Sequence, residues 1–291
     1  MRYEGLIIRP PSEAQSLILQ VTVGCSHNRC TFCPTYKNTR FRIRDMAEVR
    51  AMVEEARQWA AHARRIFLCD GDALVIPQRR LLALLELLNE SFPRLERIGI
   101  YANARSILNK SVQDLQELRQ RKLGILYLGV ESGDDQVLSR VRKGADRQKL
   151  LRAALRAKEA GFILSVTVLL GLGGVEESRR HALETASLLS EMDPHYVGAL
   201  TLMVVESTPL YLEMCRGTFR LPDTFQLIQE LEIMIRHSDF TDCYFTSNHA
   251  SNYLPIKVRL PTQKQQALKL IQEVLAMRDR SLLRPEFLRG L

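Results

Sequence analysis

No apolar run in the 291 residues approaches the roughly 20 needed to cross a bilayer as a helix. The opening MRYEGLIIRPPSEAQ has too short an apolar core for a secretory signal. A cytoplasmic protein without a membrane partner is therefore expected. Internal repeats, low-complexity tracts and clear linkers are missing too, so nothing marks a repeat array. A continuous basic track is also lacking. The net charge of +8 favours an anionic partner, but the cations are scattered over Arg40 to Arg44, Arg64 and Arg65, Arg119 to Lys122 and Arg140 to Lys143. That spread is the pattern of solvated helix faces and argues against a polynucleotide partner.

What is present is an ordinary globular composition, 46% apolar and 25% charged. Short apolar runs alternate with amphipathic segments: SLILQVTV, RIFLCD, RIGIYAN, ILYLGVES, ILSVTVLLGLGG and YVGALTLMVV read as strands, each followed by a segment of helical spacing. Buried strands joined by helices pair in parallel through right-handed crossovers. Six such units fit a doubly wound sheet or an incomplete barrel, and in both the site lies at the carboxyl ends of the strands. Polar or glycine-bearing loops follow every predicted strand, which favours the barrel. The expected fold is α/β, a partial (β/α)6 TIM-type barrel over residues 18–220. A C-terminal extension over 221–291 carries a helix, an extended polar strap and a capping helix.

Cysteine is scarce but crowded. Cys25, Cys30 and Cys33 sit in GCSHNRCTFC after the first strand, with no fourth cysteine nearby. In a reducing compartment such a cluster reads as a metal site rather than a disulfide. Four soft ligands close a structural site, whereas three leave one position open for chemistry. With His27 in the loop, a Cys3His zinc site is the alternative. Cys69, Cys215 and Cys243 are widely separated, so a second cluster is not expected.

CSHNRCTFC, with Phe32 just before the last cysteine, resembles the loop of the radical S-adenosylmethionine (radical SAM) enzymes. The spacing here is C-x4-C-x2-C, one residue longer than that family's usual pattern. The resemblance covers residues 18 to 220. It implies that Cys25, Cys30 and Cys33 hold a [4Fe–4S] cluster whose fourth iron is chelated by S-adenosyl-L-methionine (SAM). Reductive cleavage of SAM then gives a 5′-deoxyadenosyl radical that abstracts hydrogen from substrate. Further segments carry the likeness. FLCDGDAL resembles the segment that meets the SAM amino group, through Gly71 and Asp72, by carboxylate or by backbone carbonyls. LGVESGDDQVLSRVRKG resembles the branch containing the Elongator catalytic subunit, the methylthiotransferases and the oxygen-independent coproporphyrinogen oxidases. It places Glu131 and Ser132 toward SAM and one of Arg140, Arg142 or Lys143, with Arg142 preferred, at the SAM carboxylate. TVLLGLGG resembles the adenine-binding segment, with backbone groups near Val168 and Leu169 and a turn at Gly171. Asn103, ending the third strand, is expected to line the pocket.

YFTSNHASNYLP near the C-terminus is polar and compact. Its His249 is a candidate acid, base or substrate anchor, against the plainer reading of a hydrogen-bonded turn holding the tail. The sequence-based expectation is a radical SAM enzyme acting on a small molecule, with flavodoxin or ferredoxin as electron donor. The alternatives are a tRNA-modifying radical SAM enzyme and, from another class, a zinc-stabilised nucleic-acid-binding module. The sequence names neither substrate nor oligomeric state.

Overall fold

The computed structural model describes residues 3–290. Its first elements are β1 (Leu17–Gln20), β2 (Thr22–Val23), β3 (Arg42–Ile43), α1 (Met46–Ala60), β4 (Arg65–Cys69), α2 (Gln78–Ser91), β5 (Arg97–Ala102), α3 (Ala104–Leu108) and α4 (Val112–Gln120). Then follow β6 (Leu123–Glu131), α5 (Asp135–Arg140), α6 (Arg147–Glu159), β7 (Ile163–Leu170), α7 (Gly174–Met192) and β8 (Tyr196–Thr201). The chain ends with α8 (Pro209–Cys215), α9 (Thr224–His237), β9 (Cys243–Thr246), β10 (Lys257–Leu260) and α10 (Lys264–Met277). Eight strands form one sheet in the order β1-β4-β5-β6-β7-β8-β9-β10, while β2 and β3 make a separate small ribbon. The six predicted strands therefore stand in chain order in a mostly parallel α/β sheet of TIM type.

By internal contacts the chain groups into two compact units. The first holds the chain up to Asn28 together with Thr35–Leu128 and Arg152–Leu164. Its strands pair in parallel, with Leu17 opposite Ile66 and Ile66 opposite Ile98. Buried on both faces, β4 reads as an unbroken apolar run from Ile66 to Cys69. Phe67, Cys69, Ile125 and Tyr127 make a core against which Tyr101 packs, the Phe67 and Tyr101 rings meeting edge to face at 4.9 Å. Helix α2 buries Leu81, Leu84, Leu85 and Leu88, one face at helical spacing. Helix α1 starts at a capping box, in which Asp45 accepts from the Glu48 amide and the Glu48 carboxylate accepts from the Asp45 amide.

The second unit holds Arg29–Pro34, Gly129–Leu151 and the chain from Ser165 onward. Its core is Val137, Val141, Leu169, Leu172, Leu202, Leu210 and Phe219, with Phe32 of the cysteine loop packed on it. Helices α7 and α9 lie against each other. The extended strap expected between the two C-terminal helices falls where the structure has β9 and β10. Strand β9 pairs in parallel with β8, and β10 returns antiparallel to β9. In β9 Cys243 and Phe245 are buried while Tyr244 faces out, an alternation only four residues long between polar neighbours. The polar SNHASNYLP stretch is the connection between the two strands.

Candidate functional site

In the first unit the leading arm of the cysteine loop is held by two buried aspartates from the end of β4. Asp70, left-handed at φ +74°, has its carboxylate wholly inside the protein. Its Oδ2 accepts from the Gly24 amide at 2.8 Å and from Gln20 Nε2 at 2.9 Å, and Tyr36 Oη donates to Oδ1 at 3.5 Å. Burial pushes this carboxyl up, and the same hydrogen bonds oppose the shift. Next to it, the Gly71 amide donates to the Gly24 carbonyl at 3.2 Å. A Cβ on Gly71 would lie 2.7 Å from the Cβ of Cys25 and 2.9 Å from the Tyr36 ring, so only glycine fits there.

Asp72 is fully buried. Its Oδ2 accepts from Ser26 Oγ at 2.5 Å and Asn103 Nδ2 at 2.7 Å, and its Oδ1 from the Asn103 amide at 3.1 Å. Ser106 Oγ donates to the same carboxylate at 2.5 Å. Burial raises this carboxyl as well, against the bonds from Ser106, Ser26 and Asn103. Both oxygens are thus occupied by the chain itself. Asn103 is half-buried and also caps α3 through the Ser106 amide at 2.8 Å.

In the second unit lies the trailing arm with Cys30 and Cys33. The Thr31 amide donates to the Val141 carbonyl at 2.9 Å, and the Thr31 carbonyl accepts from the Leu210 amide at 3.1 Å. Cys25, Cys30 and Cys33 are all part-exposed and form no disulfide. Such thiolates suit iron–sulfur or zinc. Among the described residues no three His, Cys, Asp or Glu side chains converge on one ion-sized point; a cluster does not require that, because each thiolate takes its own iron. Between Cys30 and Cys33, Thr31 Oγ1 is buried without a hydrogen-bond partner. A buried hydroxyl left so costs about 1–3 kcal/mol, and it is a donor suited to a sulfur-rich acceptor. The donor chemistry of the loop therefore suits an iron–sulfur group.

The strand ends of this unit carry the other candidates. Glu131 takes φ +66°, a strained state for a residue with a side chain. Its Oε1 accepts from Lys143 Nζ at 2.8 Å, both side chains being nearly buried. A Cβ on Gly129 would lie 2.3 Å from that carboxylate oxygen, so Gly129 makes its berth. Of the three cations, Lys143 is committed to Glu131, and Arg140 donates to the Leu172 carbonyl at 2.6 Å and stacks on Phe219. Arg142 is exposed, with φ +54°. Ser132 is wholly buried. Val168 is buried in β7, and Gly171 turns at φ +85° where a Cβ would meet Leu227 at 2.7 Å.

Two residues that the sequence analysis did not single out organise these ends. His181 of α7 is fully buried between Ser132 Oγ, 2.8 Å from its Nδ1, and the Leu169 carbonyl, 2.9 Å from its Nε2. The carbonyl can only accept, so Nε2 carries the proton and Nδ1 accepts from Ser132. Burial lowers its pKa to about 4, keeping the ring neutral. Glu230 of α9, also fully buried, accepts from the Gly171 amide and from Ser178 Oγ, each at 2.6 Å. Burial raises its pKa to about 7.

His249 is half-buried. Its Nδ1 accepts from the Ser251 amide at 3.1 Å, and Arg284 donates to its carbonyl at 2.7 Å. Burial, with Arg284, lowers its pKa. Asn252 donates to the Ala199 carbonyl at 2.9 Å and accepts from Thr201 Oγ1 at 2.8 Å, while Ser247 Oγ donates to the Leu254 carbonyl at 2.8 Å. These bonds make the segment a turn that clamps the tail to β8.

No helix among the described residues is long and apolar enough to cross a membrane. The chain is 26% identical over 231 residues to an uncharacterised protein of Methanocaldococcus jannaschii, covering 75% of this chain and 70% of that one. It is 31% identical over 148 residues to a protein of the same archaeon provisionally named a methylthiotransferase, covering 47% of this chain but 31% of the relative. The crystal structure of coproporphyrinogen III oxidase HemN from Escherichia coli matches its fold with a TM-score of 0.56 at 17% identity, over 76% of this chain and 51% of that one. The model of the Radical SAM superfamily matches residues 19–187, more than half the sequence and including all three clustered cysteines, and the chain therefore belongs to that superfamily of enzymes.

Proposed function

We propose that the protein binds a [4Fe–4S] cluster through Cys25, Cys30 and Cys33 and cleaves SAM reductively to act on a small-molecule substrate. The observation that carries the reading is the loop. Three part-exposed thiols sit on a segment whose leading arm is fixed by buried Asp70 and Asp72, and whose trailing arm is fixed through the Thr31 backbone. With cluster and SAM bound, the chemistry supplied is one-electron cleavage of the sulfonium to a 5′-deoxyadenosyl radical.

The chain's own residues position and shield. The backbone carbonyls of Gly71 and Asp72 accept from the SAM amino group, since the Asp72 carboxylate is already engaged. Glu131, paired with Lys143, would accept from a ribose hydroxyl or the amino group, and exposed Arg142 would meet the SAM carboxylate. The backbone around Val168 and Leu169 borders the adenine. His249, held by Ser251, presents Nε2–H to the substrate as an anchor. A flavodoxin or ferredoxin of the cytoplasm supplies the electron.

Anaerobic reconstitution tests the proposal. About four irons and four sulfides per chain are expected, lost when Cys25, Cys30 and Cys33 are all replaced by Ala and kept in Cys215→Ala. With a strong one-electron donor, SAM should yield 5′-deoxyadenosine and methionine. Stoichiometric zinc in an anaerobically prepared, folded sample would overturn the cluster. Transfer RNA should bind no better than about micromolar at physiological salt, and more weakly as salt rises. Nanomolar, salt-resistant binding of one tRNA would replace the small molecule by RNA.

A further inference from the structure

Glu230 is a wholly buried carboxylate with no strong cation beside it. Among the described residues the basic group within 4.0 Å is His181, whose Nε2 lies 3.9 Å from Oε2 and gives its proton to Leu169. Burying a charge without a counter-ion is costly, and apolar side chains fill the positions around it on α9. What the carboxylate does is hold the backbone amide of Gly171 at the turn leaving β7. His181 holds the Leu169 carbonyl two residues earlier and ties it to Ser132, beside Glu131.

We propose that Glu230 and His181 are a buried positioning pair that sets the backbone of the β7 turn and, through it, the affinity for the adenine–ribose part of SAM. The proposal rests on the reading of this turn as a SAM-binding segment. As a carboxylate, Glu230 accepts from Gly171 and Ser178 with the strength of charge-assisted bonds. Protonated, it must donate through one oxygen, and Ser178 is the partner able to accept; the bond to Gly171 then loses its charge assistance. Glu230 titrates near neutrality because burial opposes its charge, so the turn loosens as pH falls. The groups facing it are Ser178 and His181 from α7 and the Gly171 amide. Helix α10, packed on α9, brings Lys264, bonded to the Ser238 carbonyl, and exposed Lys269 and Glu273. His181 is acted on in turn by Asp134 and Arg140.

The test is SAM affinity of the anaerobically reconstituted protein between pH 6 and 8.5, by equilibrium dialysis, together with amide hydrogen exchange over residues 169–174. The wild type should bind SAM about tenfold more weakly at pH 6 than at pH 8, after subtraction of the Glu230→Gln profile. Glu230→Gln, with unchanged iron content, should bind weakly at every pH and exchange faster in the turn. Ser178→Ala, on the edge of the network and milder for folding, should shift the wild-type pH dependence rather than abolish it. A Glu230→Gln protein that matches the wild type in affinity and pH profile overturns the pairing while leaving SAM binding intact. A reconstituted wild type that binds no SAM overturns the functional reading, and this proposal falls with it.

Discussion

A methyl group is enough to test the leading arm of the cysteine loop. Gly71→Ala places a Cβ against Cys25 and Tyr36, and overpacking of this kind costs about 1–3 kcal/mol. The variant should fold with a lowered urea midpoint and take up clearly less iron on reconstitution; unchanged iron and midpoint would show that the arm moves aside freely. Asp72→Ala should cost more, since it strips acceptors from Ser26, Asn103 and Ser106 at once, and each buried donor left unpaired costs about 1–3 kcal/mol. The cysteines were legible because their spacing is local. The work of Asp72 was not, because its partners Ser26, Asn103 and Ser106 lie on other segments, the last in α3, and no spacing along the chain brings them together. His181 and Glu230 were hidden differently, as polar letters in amphipathic helices. A signal was there: His181 shares a face with Thr185, Leu188 and Met192, and Glu230 with Leu227, Leu231 and Met234, all buried.

At the level of elements, the helix that carries Glu230 begins at Asp223, whose Oδ1 accepts from the Phe225 amide at 2.8 Å and the Gln226 amide at 2.9 Å. Asp223→Ala should lower stability by about 1 kcal/mol, read as a shift in urea midpoint with unchanged slope. No shift would mean that packing alone defines where α9 starts. The long helices and the six core strands announce themselves by period, whereas α3, α5 and α8 are too short to do so and lie in what reads as loop. Each begins at a side-chain cap, Asn103, Asp134 or Thr208. Strands β9 and β10 escaped because four-residue alternations beside SNHASNY look like polar strap, and their pairing with β8 is a property of the sheet.

For the whole molecule, Glu230 and His181 pull stability in opposite directions as pH changes. The folded pKa of Glu230 is raised to about 7, so its contribution is present at low pH and is lost as pH rises from the unfolded value through 7. That of His181 is lowered to about 4, so its contribution is present above its unfolded value near 6.5 and is lost as pH falls toward 4. Each is of order 3–4 kcal/mol at about 1.36 kcal/mol per pKa unit. Between about pH 4.5 and 6.5 the two should nearly cancel, and removing one should expose the other. Glu230→Gln should lose stability steeply on acidification over this range in chemical denaturation, where the wild type changes little from this pair; parallel curves would refute the opposition. The same burial has a spectroscopic consequence. The Nε2 proton of His181 is sealed from water and bonded to a carbonyl, so it should exchange slowly enough to give its own downfield NMR line. That line would report the state of the β7 turn in the intact protein, without any label near the turn.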